Sequence, residues 1–195
     1  MEIFLHACCA PCSVSVVDIL KQNGFKPTFF WFNPNIHPYR EFKLRKQALQ
    51  QYAQNLNLDF FEELGYGMRE FLQSLNGNFN FGFRCENCYR IRLKKCAEMA
   101  VKLGFKKFSS TLLVSPYQNH ELIKKEAQKQ AETYGIEFYY FDFRPFFRQG
   151  QAKAKELGLY MQKWCGCIFS EEERFRSKAR RELLKQLKPK AGAAT

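Results

Sequence analysis

The chain has 195 residues, of which 46% are hydrophobic, and it carries a formal net charge of +12. This length and apolar content suffice for one domain with its own core. No apolar stretch approaches the roughly 18 residues of a membrane span, and the N-terminus lacks the basic flank and cleavage site of a secretory signal. We therefore expect a cytoplasmic protein with no membrane partner and with reduced thiols.

Short apolar or aromatic runs alternate with segments of helical periodicity along the chain. The strand-like runs are 3–5, 28–32, 58–61, 107–111 and 136–141. The helical segments are 13–23, 39–56, 85–104 and 119–134, and the glycine- and asparagine-rich stretch 65–82 is the least regular part. Five strands that alternate with helices predict an α/β fold over residues 1–170, a three-layer sandwich with a mostly parallel five-stranded sheet.

Residues 171–195 differ from the rest of the chain in charge, and we expect them to form a basic C-terminal helix and tail. Between Arg174 and Lys190 there are eight basic residues and one acid, Glu182, which leaves this segment with a charge of +7. Concentrated positive charge favours a polyanionic partner, and nucleic acid is the commonest. The alternative is a solvated helix that only keeps the protein in solution.

Seven of the eight cysteines fall in three tight groups, at 8–12 (Cys-Cys-Ala-Pro-Cys), 85–88 (Cys-Glu-Asn-Cys) and 165–167 (Cys-Gly-Cys). Such grouping indicates metal binding or redox chemistry, because buried structural cysteines need no particular spacing. The first group follows a strand and precedes a helix, where α/β sheets place their sites and where a helix N-terminus favours thiolates. Cys96 lies on the apolar stripe of its helix, so we expect it in the core.

Three kinds of sulfur chemistry fit this pattern. Cys9-Ala10-Pro11-Cys12 has the form of a thioredoxin-like dithiol, which leaves the other two groups without a role. A structural zinc site uses two C-x-x-C pairs and leaves three cysteines over. An iron–sulfur cluster takes four ligands from separate segments, and a disulfide across one glycine is strained and labile, which makes Cys165 and Cys167 a candidate redox couple. We favour the third interpretation, with Cys165 and Cys167 as further metal ligands remaining an open alternative.

Six segments of the chain carry distinctive motifs. They are LHACCAPC (5–12), FNPNIHP (32–38), RCENCYRIRL (84–93), STLLVSPYQNH (110–120), FDFRP (141–145) and KWCGCIFS (163–170). In this order they resemble the epoxyqueuosine reductase QueH family over nearly the whole chain. The resemblance implies a HUP-like α/β fold, the architecture of the PP-loop ATPases, carrying a metal site.

The resemblance also implies an activity and partners. The activity is the two-electron removal of the epoxide oxygen from epoxyqueuosine at the wobble position of certain tRNAs, without cobalamin. The partners are a tRNA anticodon loop and, as electron donor, a reduced ferredoxin or flavodoxin-like protein. Because the loop after the first strand carries cysteines in place of the glycine-rich loop that a pyrophosphate needs, we expect no use of ATP. A zinc-stabilised nucleic-acid-binding module without catalysis is the alternative function.

Ligand roles follow from the resemblance for the first two cysteine groups. The ligands of a 4Fe-4S cluster would be Cys8, Cys9, Cys85 and Cys88. A further, mononuclear iron is implied beside the cluster, and Cys12 is the expected ligand for it.

The third cysteine group has a different implied role. Cys165 and Cys167 would form the redox-active pair of the reaction. Around the second group, Arg84, Arg90 and Arg92 are candidates for contact with the splayed bases of an RNA loop, which guanidinium and aromatic faces bind.

Overall fold

The computed structural model describes residues 1–187. Its strands are β1 (Glu2–His6), β2 (Lys26–Trp31), β3 (Phe60–Glu62), β4 (Lys107–Ser110) and β5 (Glu137–Phe138). Its α-helices are α1 (Ala10–Gln22), α2 (Tyr39–Asn55), α3 (Met68–Ser74), α4 (Phe83–Lys102), α5 (His120–Tyr134), α6 (Phe147–Glu156) and α7 (Ile168–Leu187). Lys188 and Lys190 of the predicted basic tail lie outside the described residues. Within residues 1–187, no helix has both the length and the apolar character needed to cross a membrane.

The five strands form one parallel sheet in the order β3-β2-β1-β4-β5. This confirms the predicted α/β class and the five-stranded sheet. The chain runs outward from β1 to β3 and then crosses over to β4, so the strand order reverses between β1 and β4. Right-handed crossovers then place α1 and α2, with α6 against α1, on one face, and α4 and α5 on the other.

β1 is the centre of the core because helices cover both faces of the sheet. Ile3, Phe4 and Leu5 are fully buried, as expected for a strand that reads as a continuous apolar run. The Phe4 ring stacks on Phe30 with centroids 5.1 Å apart and packs against Phe105 at 4.9 Å. This aromatic packing fixes the strand whose carboxyl end leads into the first cysteine group.

Two predicted elements have a boundary that differs from the structure by three residues. α1 begins at Ala10 and not at residue 13, because Cys9 has an extended backbone as N-cap and Pro11 occupies the first turn, where its missing N–H costs nothing. The predicted strand 136–141 pairs only over Glu137–Phe138, although its one neighbour, β4, continues to Ser110.

A small second apolar cluster lies beside the main core. It consists of Phe71, Leu75 and Cys88 and joins α3 to α4. The cluster places the irregular stretch 65–82 against the second cysteine group. Cys96, predicted to be core, is fully buried, and the prediction is confirmed.

Candidate active site

The three cysteines of the first group form a compact sulfur cluster, which we call the cysteine trio: Cys8, Cys9 and Cys12. They are buried at the junction of β1 and α1, which three residues connect. Their Sγ atoms all lie within 4.8 Å of one another, and those of Cys8 and Cys9 are 3.7 Å apart. Among the residues that the structure describes, no other three potential metal ligands converge in this way.

Two polar side chains from distant segments contact the cysteine trio. The Thr111 hydroxyl, just after β4, donates to Cys8 Sγ at 3.5 Å. Gln162 Nε2 donates to Cys9 Sγ at 2.9 Å and to Cys12 Sγ at 3.5 Å. The buried Gln162 Oε1 has no hydrogen-bond partner in the described structure. An unpaired oxygen beside three sulfurs leaves a free acceptor at this point, which normally needs a partner.

The cysteine trio shares its protons unequally. Hydrogen bonds from Cys12 and Cys9 hold the pKa of Cys8 well below its usual range. Burial raises the pKa of Cys9, and the hydrogen bond to Cys8 raises that of Cys12. The expectation of anionic sulfur at this helix start therefore holds for Cys8, while Cys9 and Cys12 remain thiols until a metal displaces their protons.

Arg92 connects the first cysteine group to the second. It is buried on α4, and its Nη1 donates to Cys88 Sγ at 3.3 Å. Its positive charge lowers the pKa of Cys8 as well. Burial nevertheless raises the pKa of Cys88 to about 11. The charge of the buried guanidinium is balanced by the thiolate of Cys8, while the Cys88 thiol accepts one of its hydrogen bonds.

The second and third cysteine groups line one pocket at the carboxyl edge of the sheet, which we call the thiol pocket. Its wall comprises Asn35, Phe71, Phe81, Arg84, Cys85, Cys88, Tyr89, Arg92, Tyr117, Gln118, Cys165, Cys167, Ser170 and Glu173. Because Arg92 lines this pocket and also acts on Cys8, the cysteine trio lies next to the pocket. The structure thus gathers all seven grouped cysteines in one region.

The grouping differs in detail from the implied ligand sets. Cys12 lies within 4.8 Å of Cys8 and Cys9, whereas Cys85 and Cys88 are outside that limit and line the thiol pocket.

Cys165 and Cys167 differ in exposure and acidity. Cys165 is exposed, and its Sγ lies 2.9 Å from Ser170 Oγ. A hydrogen bond with Cys167, and then the one with Ser170, lowers the pKa of Cys165 to about 5. Cys167 is buried, and its hydrogen bond to Cys165 raises its pKa. The pair is therefore built to carry one thiolate and one thiol.

The donor set of the cysteine trio fits a thiophilic metal. Tetrahedral coordination with metal–sulfur bonds of about 2.3 Å places sulfurs roughly 3.8 Å apart. The 3.7 Å between Cys8 and Cys9 meets this spacing, and the third sulfur lies within 4.8 Å. The trio could therefore bind a metal ion with little rearrangement.

Several residues around the sulfurs are not apparent from sequence patterns. We predicted Arg92 off the apolar stripe of its helix, as a base contact, and the structure instead buries it between thiols. Its position four residues after Cys88 was the available signal, because residues at i and i+4 share a helix face. No local pattern identifies Gln162 or Thr111, which reach the sulfurs from far along the chain.

Each of the three histidines makes a hydrogen bond to a residue outside the cysteine groups. His6 is fully buried, with Nδ1 2.9 Å from Ser110 Oγ. Burial lowers its pKa to about 3. His37 contacts the Pro34 carbonyl and His120 the Tyr140 hydroxyl.

The fold and the site together define a HUP-like α/β protein with a thiol site suited to metal binding or redox chemistry. A family profile described as "Epoxyqueuosine reductase QueH" matches residues 3–173. The chain therefore belongs to the QueH family and is an oxidoreductase.

Individual relatives agree with the family profile. The chain is 34% identical over 174 residues to the epoxyqueuosine reductase QueH of Dehalococcoides mccartyi, which covers 89% of this chain and 94% of the relative. It is 33% identical over 179 residues to that of Thermotoga maritima, with 88% and 91% covered. A crystal structure described as a predicted subunit of a tRNA methyltransferase from Methanocaldococcus jannaschii superimposes with a TM-score of 0.53 at 13% identity, covering 92% of this chain and 88% of that one. This last similarity concerns the fold alone.

Proposed function

We propose that the protein reduces epoxyqueuosine to queuosine at the wobble position of tRNA. The observation that carries the proposal is the gathering of the cysteine trio and the thiol pocket in one region, with Arg92 acting on both, in a chain of a family named for this reduction. The proposal includes a cytoplasmic location, where the tRNA substrate is found.

The reaction needs two electrons and two protons. Removal of the epoxide oxygen as water leaves a carbon–carbon double bond. Two thiols that join in a disulfide release two electrons and two protons, so a dithiol balances the reaction. We assign this role to Cys165 and Cys167, which line the thiol pocket together. In the proposed cycle, a reduced ferredoxin or flavodoxin-like protein then restores the dithiol.

We propose that four cysteines hold a 4Fe-4S cluster: Cys8, Cys9, Cys85 and Cys88. Cys12, whose sulfur lies within 4.8 Å of those of Cys8 and Cys9, would bind an adjacent iron. Bound there, these centres would supply single electrons and a Lewis acid for the epoxide oxygen.

The surrounding residues have definite tasks in this proposal. Arg92 balances the negative charge of the sulfurs without contact with solvent, because it is buried. Gln162 orients two sulfurs through its amide. Cys165, the exposed and more acidic thiol of its pair, faces the substrate side of the pocket.

Two exposed aromatic rings support RNA as the substrate carrier. Phe81 is 74% exposed and Tyr117 is 83% exposed, and both line the thiol pocket. The buried Arg84 guanidinium lies 5.4 Å from the Phe81 ring centroid. Splayed bases of single-stranded loops stack on such rings, at roughly 1–3 kcal/mol per base. We propose that bases flanking the modified nucleotide of the anticodon loop bind there.

Anaerobic reconstitution with iron and sulfide, followed by assay on epoxyqueuosine-containing tRNA with dithionite, tests the proposal. Nucleoside mass spectrometry should show conversion to queuosine. The Cys165→Ser/Cys167→Ser variant should lose activity about 100-fold or more, since both protons and electrons are missing. Cys96→Ala, which removes a thiol outside the site, is the control and should retain wild-type activity.

Two outcomes would refute the proposal. Wild-type rates in the double variant would remove the redox role from the pair. Colourless protein that takes up zinc, binds tRNA and converts nothing would instead support the non-catalytic zinc module.

A further inference from the structure

The backbone of the Cys165-Gly166-Cys167 turn is held by a buried arginine. Arg45 of α2 is 1% exposed. Its Nη1 donates to the Cys165 carbonyl at 3.0 Å and its Nη2 to the Trp164 carbonyl at 3.0 Å. The guanidinium carbon also lies 5.8 Å from the centroid of the Trp164 ring. Arg45 therefore binds the turn through its backbone and leaves the sulfurs free.

Arg45 is itself fixed from its other side. Its Nε donates to Glu41 Oε1 at 2.7 Å, one turn earlier on α2. The second carboxylate oxygen, Glu41 Oε2, accepts from the Tyr160 hydroxyl at 2.5 Å. Burial of such an ion pair is costly unless every donor is satisfied. Here Nη1 and Nη2 each donate one hydrogen bond to the turn, so the ion pair and the turn stabilise each other.

The turn has little room to change its shape. Gly166 has φ +125, and a Cβ at this position would lie 2.9 Å from Ile36 Cγ1 and 3.2 Å from Arg45 Nη1. The Gly166 carbonyl accepts from the His37 backbone N–H at 2.8 Å. The carbonyls of three consecutive residues, 164 to 166, are thus held at once.

We propose that Arg45, supported by Glu41 and Tyr160, is a positioning residue that sets the dithiol–disulfide equilibrium of Cys165 and Cys167. The inference rests on the proposed function, in which this pair supplies the two electrons. Oxidation joins the two sulfurs, releases two protons and passes two electrons to the epoxide carbon–oxygen bonds, so that the oxygen leaves as water.

The direction of the effect depends on whether Arg45, Glu41 and Tyr160, which together we call the clamp, stabilise the dithiol or the disulfide. Both thiols are free in the structure, so the hydrogen bonds of Arg45 stabilise the backbone of the reduced form. A disulfide across one glycine closes a small strained ring that the held carbonyls oppose. Stabilisation of a reduced form makes a pair more oxidising. The clamp therefore keeps the disulfide easy to reduce again after each turnover.

Redox titration of the full-length, reconstituted protein tests this. After equilibration in buffers of oxidised and reduced dithiothreitol, thiols are trapped by alkylation. Trypsin then releases residues 164–174, a peptide that contains Cys165 and Cys167 and no other cysteine. Mass spectrometry of this peptide gives the equilibrium constant of the pair directly.

Arg45→Met should shift the equilibrium toward the disulfide by about tenfold, which corresponds to about 30 mV. Lys46→Met is the matched control, since Lys46 is the next residue on α2 and pairs with Glu62 at 3.0 Å. The control should stay within about twofold of wild type. A folded Arg45→Met protein with an unchanged equilibrium, or with a shift toward the dithiol, would overturn the proposal.

Tyr160→Phe covers the case in which Arg45→Met does not fold. It removes one hydroxyl and should give a smaller shift of about threefold in the same direction, and an unchanged equilibrium would equally overturn the proposal. This readout needs no tRNA. In one further outcome, Arg45→Met shows the expected shift while Cys165→Ser/Cys167→Ser keeps full activity. That result would refute the redox role of the pair in the reaction, but it would still support the effect of Arg45 on the dithiol–disulfide equilibrium.

Discussion

The two cysteines of the Cys165-Gly166-Cys167 turn have different surroundings although one residue separates them. Cys165 is exposed and lies 2.9 Å from Ser170 Oγ, while Cys167 is buried. The Ser170 hydroxyl also donates to the Cys167 carbonyl at 2.7 Å. Since the pKa of Cys165 is lowered to about 5 and that of Cys167 is raised, the negative charge at neutral pH belongs to Cys165.

Alkylation should reveal this difference. Iodoacetamide should label Cys165 about tenfold faster than Cys167 at pH 7, because the thiolate is the nucleophile. The Cys165 rate should fall as the pH drops through about 5 and should be level above neutrality. An ordinary thiol would instead become reactive only near pH 8.5. Tryptic mass spectrometry measures both rates, and a midpoint above pH 8 for Cys165 would contradict this account.

Sequence patterns identified the grouped cysteines but not the two buried arginines beside them, Arg45 and Arg92. Spacing alone brought out the three cysteine groups, since motifs of this kind are local. Arg92 was expected off the apolar stripe of its helix, and nothing in the sequence singled out Arg45, because a charged side chain is rarely buried. Their burial depends on Glu41 and Tyr160 in one case and on Cys88 and Cys8 in the other. Glu41 and Cys88 lie one helical turn before their arginines, whereas Tyr160 and Cys8 are far away in the chain and become visible as partners only when the fold is known.

The α1–α6 helix pair depends on one glycine. A Cβ on Gly150 would lie 2.6 Å from Ser15 Oγ and 3.0 Å from Ser15 Cβ. Close approach also allows Lys153 Nζ to reach Asp18 at 2.6 Å and Gln151 Nε2 to reach the Pro11 carbonyl at 3.4 Å. α6 leads directly into the segment that carries Gln162 and the third cysteine group, so its position sets theirs.

Gly150→Ala should destabilise the protein by about 1 kcal/mol. Overpacking costs about 1–3 kcal/mol, and the better helix propensity of alanine returns about 1 kcal/mol. Urea denaturation of the purified protein measures the difference. Adding Ser15→Ala should recover part of the loss, since it removes the oxygen nearest the new methyl group. A gain in stability from Gly150→Ala alone would show that the helices are not held at this contact.

Helices and strands were predictable where the burial of an element is visible in its own sequence. Central strands such as β1 read as apolar runs because both faces are covered. α6 was not predicted: it contains Gly150 and lacks a broad apolar stripe, and of its residues only Gly150 and Ala154 are buried. β5 is shorter than its apolar run: it pairs with β4 only opposite Lys107 and Phe108, although β4 continues to Ser110.

Charge is unevenly distributed over the molecule as a whole. The net charge is +12, and α7 is exposed on all sides from Arg176 to Leu184. Between Arg176 and Leu184 its basic side chains are exposed and can reach phosphates; Lys178 lies 3.7 Å from Glu182, and Arg181 Nε donates to the Ser177 carbonyl. This helix starts at the thiol pocket, because Ser170 and Glu173 are part of the pocket wall. A bound anticodon stem could extend along it.

Neutralising two arginines of α7 should weaken the salt dependence of tRNA binding. For Arg176→Gln/Arg180→Gln, the slope of log affinity against log salt should fall by about 1.4, or roughly 0.7 for each phosphate that no longer has a cationic partner. Filter binding between low and physiological salt gives the slope. Lys125→Gln/Lys129→Gln removes two exposed charges from α5 and should leave the slope unchanged. An equal fall in slope for both double variants would mean that tRNA binding depends only on the net charge of the protein.

The switch point between β1 and β4 also has a consequence for biosynthesis. The cysteine trio is complete after the first dozen residues, whereas Cys85 and Cys88 join it only when α4 has packed against the sheet, and Cys165 and Cys167 are translated last. A nascent chain therefore exposes three sulfurs long before the remaining four can reach them. Assembly of the proposed 4Fe-4S cluster must therefore wait until α4 has been translated and has packed against the sheet, and the proposed redox pair is added later still.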